Sequence, residues 1–135
     1  MQVAGEAASI TIHNELDIVQ VRHTVREYAR KAGLHISRQA KVTTAISTLA
    51  RALLTNYRQI QFAIKILDTL PRAALEVLCF AADTDHTRLI VQTTDPWDLP
   101  ELHLLVDEVD IHRESQMMEL KLRMWLTQKP VTIAL

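Results

Sequence analysis

No glycine or proline interrupts the stretch from Ile36 to Tyr57, and within it Val42, Ala45, Ile46, Leu49, Leu53 and Leu54 recur at intervals of three and four. That is the period of a helix with one broad apolar stripe. The rest of the chain has to be arranged so that this stripe is covered.

On its N-terminal side, Ser9 to His13 alternates apolar with polar residues and predicts a short strand with one buried face. Asn14 then suits a helix N-cap, with Asp17 three residues on as the acidic member of a box-like start. Ile18, Val21, Val25, Tyr28, Ala29 and Ala32 form the stripe of the helix that follows, with Arg22, Arg26, Arg30 and Lys31 off it. Gly33 followed by Leu34 predicts a left-handed C-cap closed by an apolar contact.

Beyond the long helix, Ile60, Phe62, Ile64 and Ile66 alternate with Gln61, Ala63 and Lys65, and after Pro71 an apolar run resumes from Leu75 to Ala82. This second strand is apolar on both faces, with Leu75, Val77 and Cys79 on one and Leu78 and Phe80 on the other, as expected of a central strand covered on both sides. Residues 88–92 predict a further short strand, Thr93 to Asp98 a loop, and Leu99 to Val106 a helix. Val109 to Arg113 and Met118 to Leu126 predict a final hairpin with Leu120, Leu122, Met124 and Leu126 facing inward. These elements predict an α+β fold, a two-layer sandwich of a mixed, largely antiparallel sheet covered on one face by helices at 15–32, 37–57 and 99–107.

The 135 residues, 48% of them hydrophobic, fit one domain (1–135, core about 9–126, short tail 127–135) with a core that needs no external staple. A formal net charge of -1, from 15 basic against 16 acidic residues, gives no overall attraction to nucleic acid or to an anionic membrane. Cys79 is the only cysteine, which excludes an internal disulfide and suits a reducing cytoplasm. The start, Met1 to Glu6, lacks the basic and apolar regions of a signal peptide, and no segment is apolar enough to cross a membrane, so a soluble cytoplasmic protein is expected. With only Gly5 and Gly33, the composition argues against a function resting on a glycine-rich phosphate loop.

The run Gln39 to Arg51 resembles the first ATP-site helix of the anti-sigma regulatory serine-protein kinases, small bacterial members of the Bergerat-fold (GHKL) ATPase superfamily. Their segment reads roughly T-A-[IV]-S-E-L-A-R-N, and Thr44 to Arg51 match it except at one position. Where the family has its glutamate, the base that orients and deprotonates the acceptor hydroxyl, this chain has Thr48, whose hydroxyl takes no proton near neutral pH. Four residues on, where the family's asparagine ligates magnesium, Ala52 offers no side-chain oxygen. The resemblance extends to the first helix, from Asp17 to Gly33, and to Leu105 to Ile111, similar to the closing L-[MV]-D-E-[FV]-x-[IV] segment; Trp125 falls where the family often has a late tryptophan. Asp83 fits the aspartate that receives the adenine amino group, but Asp85 and Thr87 stand in place of the glycines after it. Of the second glycine-rich segment only Leu99-Pro100 matches, and Asp95 and Asp98 nearby would repel phosphate.

Each candidate has a plainer reading beside it. Thr44, Thr48 and Thr55 line either a residual pocket or an exposed helix face. Asp83, Asp85 and His86 suit a solvated turn better than a metal site, and no metal is expected. Cys79, in an apolar strand, reads as a buried inert thiol. Arg22 and Arg26 are either a partner-facing strip or the wet side of an amphipathic helix.

The resemblance implies a Bergerat-type sandwich. With Thr48 and Ala52 at its two chemical positions, it implies a non-catalytic interaction module of a partner-switching system, with no cofactor, that docks a STAS-domain antagonist, a sigma factor or a PP2C-type phosphatase. It also admits a homodimer. Two alternatives stay open, an ATP-binding serine-protein kinase with residual nucleotide binding and a regulatory domain of a larger signalling protein.

Overall fold

The computed structural model describes residues 7–68, 73–82, 95–114 and 116–126. In chain order the elements are β1 (Ala7–Ile12), α1 (Glu15–Lys31), α2 (Ile36–Leu54), β2 (Ile60–Leu67), β3 (Ala74–Ala82), α3 (Leu102–Leu105), β4 (Glu108–Glu114) and β5 (Met117–Trp125). The strands form one five-stranded sheet in the order β1-β2-β3-β5-β4, and all four pairings are antiparallel. The expected admixture of parallel pairing is therefore not found among the described residues; the segment 88–92, Asp83, Asp85, His86 and the tail 127–135 lie outside them.

The helices cover one face. Along β2, Ile60, Phe62 and Ile64 are fully buried; Leu75, Val77 and Cys79 on β3 and Met118, Leu120, Leu122 and Met124 on β5 continue that inner surface. Onto it α2 lays Val42, Ala45, Ile46, Leu49 and Leu53, and α1 lays Ile18, Val21, Val25 and Ala29, each 1% exposed or less. Burying a side chain of this size stabilises by about 1.5–3 kcal/mol relative to leaving it in water.

Local chemistry fixes the ends of α1. The Asn14 side chain accepts from the Asp17 N–H at 3.1 Å, and the Asp17 carboxylate accepts from the His13 N–H at 2.8 Å, a reciprocal start that satisfies two backbone donors. At the other end Gly33 sits at φ +87°, with Leu34 N–H bonded to Ala29 carbonyl at 3.1 Å and Gly33 N–H to Arg30 carbonyl at 3.0 Å. That is a Schellman closure, and its left-handed residue strains any side chain larger than glycine's.

One expectation is corrected. The helix expected over 99–107 is reduced to Leu102–Leu105, because turns occupy the residues up to Glu101, Pro100 among them, and Val106 is extended at φ −129° and ψ 167°. The outer face of β3 is not covered by a described element: Leu78 and Phe80 are only half-buried. They lie in cross-strand rows with Ala63 and Lys121 and with Gln61 and Glu119.

One polar row on that outer face is well sealed. Glu76, 4% exposed, receives Arg123 Nη2 at 2.9 Å and lies 3.8 Å from Lys65 Nζ, and Arg123 Nη1 reaches Glu108 at 3.3 Å. The order Lys65, Glu76, Arg123, Glu108 alternates in sign across four adjacent strands. Burial alone would lower the Arg123 pKa, but the hydrogen bond and charge of Glu76, with those of Glu108, outweigh it and raise it above the ordinary value.

Candidate functional site

The face of α2 singled out in the sequence lies at the surface of the domain. Thr44 and Thr55 are exposed, while Thr48 and Ala52 are half-buried. The Thr55 hydroxyl donates to the Ala52 carbonyl at 2.7 Å. Asn56, 2% exposed, gives its amide nitrogen to the same carbonyl at 3.1 Å, so both side chains close the last turn of the helix. Arg51, one residue before Ala52, reaches back to Glu15 at 3.3 Å and ties this end of α2 to the start of α1. No carboxylate and no side-chain amide stands at position 48 or 52, and the nearest amide along the helix is folded onto the backbone.

Just past α2, Tyr57 and Trp97 form a buried pair that the sequence did not suggest. They are 3% and 2% exposed, the indole N–H donates to the Tyr57 hydroxyl at 3.0 Å, and the rings meet edge to face with centroids 5.8 Å apart. Asp95, expected to repel phosphate, instead shapes the turn that carries the tryptophan. Its Oδ1 accepts from the Trp97 N–H at 3.0 Å, and its other oxygen lies 3.9 Å from Arg113. Asp98 is exposed, with its N–H on the Asp95 carbonyl.

At the N-terminal end of α2 a second junction holds the layers together. Asp107 Oδ2 accepts from Arg38 Nη2 at 2.6 Å and from the Trp125 N–H at 2.7 Å, while the same Arg38 nitrogen reaches the Trp125 carbonyl at 3.0 Å. The aspartate in the segment resembling the family's closing motif thus clamps the start of α2 to the end of β5.

Between α1 and α2 runs a groove of about 210 Å³ lined by Val19, Arg22, His23, Arg26 and Thr43. The two arginines and His23 are exposed, and neither Arg22 nor Arg26 has an ion-pair partner among the described residues. Beside the groove, the buried face of α2 carries a polar stripe, Gln39, Thr43 and Ser47, spaced by four. Each satisfies itself on a carbonyl of its own chain: Gln39 on Leu34 at 2.9 Å, Thr43 on Gln39 at 2.7 Å and Ser47 on Thr43 at 3.0 Å. Thr43, the member of that stripe that lines the groove, is small enough to leave room there. Of the groove, Arg22 and Arg26 were legible in the sequence; His23, Val19 and Thr43 were not, although the i, i+3, i+4, i+7 spacing of residues 19, 22, 23 and 26 was there to be read.

Cys79 is fully buried, and burial pushes its thiol well above the usual cysteine range, so it is neutral and unreactive in the folded chain. Among the described residues no three side chains of metal-ligating type converge, and no helix is long and apolar enough to cross a membrane.

Fold and groove together define an α+β domain in which a five-stranded antiparallel sheet supports helices on one side, with a basic cleft where the two long helices cross. A solved structure, described as the crystal structure of the RsbU and RsbW domains of Rv1364c from Mycobacterium tuberculosis, is similar to this chain with a TM-score of 0.61 and 16% identity. The similarity covers 94% of this chain and 35% of that one. At that identity the likeness establishes the fold. No family model matches the sequence, and no curated protein does.

Proposed function

We propose that this domain is a non-catalytic interaction module of a partner-switching regulatory system, built on an RsbW-like scaffold whose nucleotide site has lost its chemistry. The observation that carries the reading is the conjunction of the fold with Thr48 and Ala52 on α2. The fold supports a regulatory role of this kind, and the two side chains argue against phosphoryl transfer. A magnesium nucleotide does not fit the residues present. Ala52 has only a methyl group to offer where the resembling family has its metal ligand, and Thr48 is no general base. No catalytic step is therefore assigned to this chain.

The surface that takes the partner is the groove between α1 and α2, with Arg22 and Arg26 as its charged contacts. Both arginines lie off the buried stripe, so reversing them changes stability by about 0.5 kcal/mol or less. Candidate partners follow from the resemblance: a STAS-domain antagonist, a sigma factor or a PP2C-type phosphatase, each soluble. The test immobilises the parent and the Arg22→Glu/Arg26→Glu variant, both shown to be folded by circular dichroism, and measures capture of purified partners of these three classes. Loss of capture by the variant, with no nucleotide added, supports the reading. Equal capture by both moves the interface off this groove, and capture that needs ATP overturns the nucleotide-independent role.

A further inference from the structure

β4 pairs with β5 along its whole length, and among the described residues nothing pairs with its other side. Such a strand presents a row of unpaired N–H and C=O groups that a further strand can bond. Its side chains divide by face. Glu108, Asp110, His112 and Glu114 stand on the outer face of the sheet, as their partners Arg123, Lys121, Glu119 and Met117 do. Val109 and Ile111 stand on the inner face opposite Leu122 and Leu120, yet Ile111 is 38% exposed where Leu120 is fully buried.

This margin also belongs to the most acidic part of the chain. From Asp95 to Glu119 there are eight aspartates and glutamates and one arginine, Arg113, in a protein whose formal net charge is only -1. On the outer face an opening of about 210 Å³ lies between Asp110, His112, Glu119 and Lys121. Neither carboxylate there forms an ion pair among the described residues, although Asp110 faces Lys121 across the strands. Carboxylates left without a partner beside an open backbone edge repel a strand of like charge, a second β4 included, and attract a basic one.

We infer that β4 takes up an extended, basic segment of a different protein as a sixth strand of the sheet. In that arrangement the lysines or arginines of the segment lie on the outer face beside Asp110 and Glu114, and the residues alternating with them are apolar and cover Ile111 on the inner face. Backbone hydrogen bonds supply the affinity, and the alternation of basic with apolar side chains selects the partner. The surface lies on the sheet margin, apart from the groove between α1 and α2, and the inference does not depend on the function proposed for that groove.

Fluorescence anisotropy of the full chain with a labelled, end-capped peptide that alternates lysine with valine tests this. Saturable binding that weakens as salt is raised is expected. The same peptide N-methylated throughout keeps its charge but loses its backbone donors, and it is expected not to bind. Asp110→Lys/Glu114→Lys, shown to be folded by circular dichroism, is expected to lose binding of the unmethylated peptide. A parent that shows no saturable binding overturns the inference. Equal binding of the N-methylated peptide also overturns it, because charge alone would then hold the ligand, and so does equal binding by the reversed chain, which would place the ligand on another surface. Should the reversed chain unfold, Asp110→Asn/Glu114→Gln gives the same comparison by removing the charges without reversing them.

Discussion

The Trp97 indole donates its N–H to the Tyr57 hydroxyl at 3.0 Å inside a site where both rings are almost fully buried, joining the end of the longest helix to the turn that precedes α3. Neither residue belongs to the helical stripe or to a strand. The contact ties the end of α2 to that turn through two side chains.

That bond should be worth more than its length in isolation suggests, because breaking one half leaves a buried polar group. Tyr57→Phe leaves the indole N–H without this acceptor and is expected to cost about 1–3 kcal/mol in urea unfolding. Trp97→Ala, which also empties the ring's volume, is expected to cost about 3–5 kcal/mol. In a cycle of Tyr57→Phe, Trp97→Phe and their combination, the double change should cost less than the sum of those two single changes, and strict additivity would show that the hydrogen bond contributes nothing.

On the outer face, the alternating row should be unequal in its members. Glu76 has a 5% exposed side chain, and its nearer partner, Arg123, is 29% exposed, whereas Lys65 is 43% exposed and farther away. Removing Arg123 strands a buried carboxylate, so Arg123→Met is expected to lose about 2 kcal/mol or more. Lys65→Met, an exposed and screened pair, should lose less than about 1 kcal/mol. Equal losses in urea unfolding would contradict the assignment of Arg123 as the main partner.

Much of this was legible beforehand, for a physical reason. Periodicity reports burial, and the stripes of α1 and α2 and the alternation of β2 and β5 are burial patterns; the cap residues Asn14, Asp17 and Gly33 act within a few positions of themselves and were placed correctly. Failures came where the deciding contact is distant in sequence. Tyr57 meets Trp97 across 40 positions, and Arg38 meets Asp107 across 69, so no local window contains either pair. At the candidate site the sequence named Arg22 and Arg26 but not the groove, which depends on Thr43 lying across from them on the other helix.

Cys79 gives a pH-dependent expectation with a definite sign. Burial raises its folded pKa, so between the ordinary cysteine value and the folded one the unfolded chain has lost a proton that the folded chain keeps. Ionisation of the thiol therefore makes no difference to stability at neutral pH and favours unfolding as pH climbs above about 8.5. The added slope is at most about 1.4 kcal/mol per pH unit. Cys79→Ala should be less stable than the parent at pH 7 through the lost packing, but the gap should narrow steadily from pH 8 to pH 10. A gap that stays constant over that range would mean the thiolate is tolerated in the folded chain.

The central claim is that α2 no longer carries a nucleotide site, and calorimetric titration of the full chain with magnesium and ATP tests it most directly. The result predicted is no saturable heat with nucleotide in the millimolar range, since Ala52 supplies no metal ligand and Thr48 no base. Saturable binding with a Kd below about 0.1 mM, on the order of −5.5 kcal/mol, would contradict it.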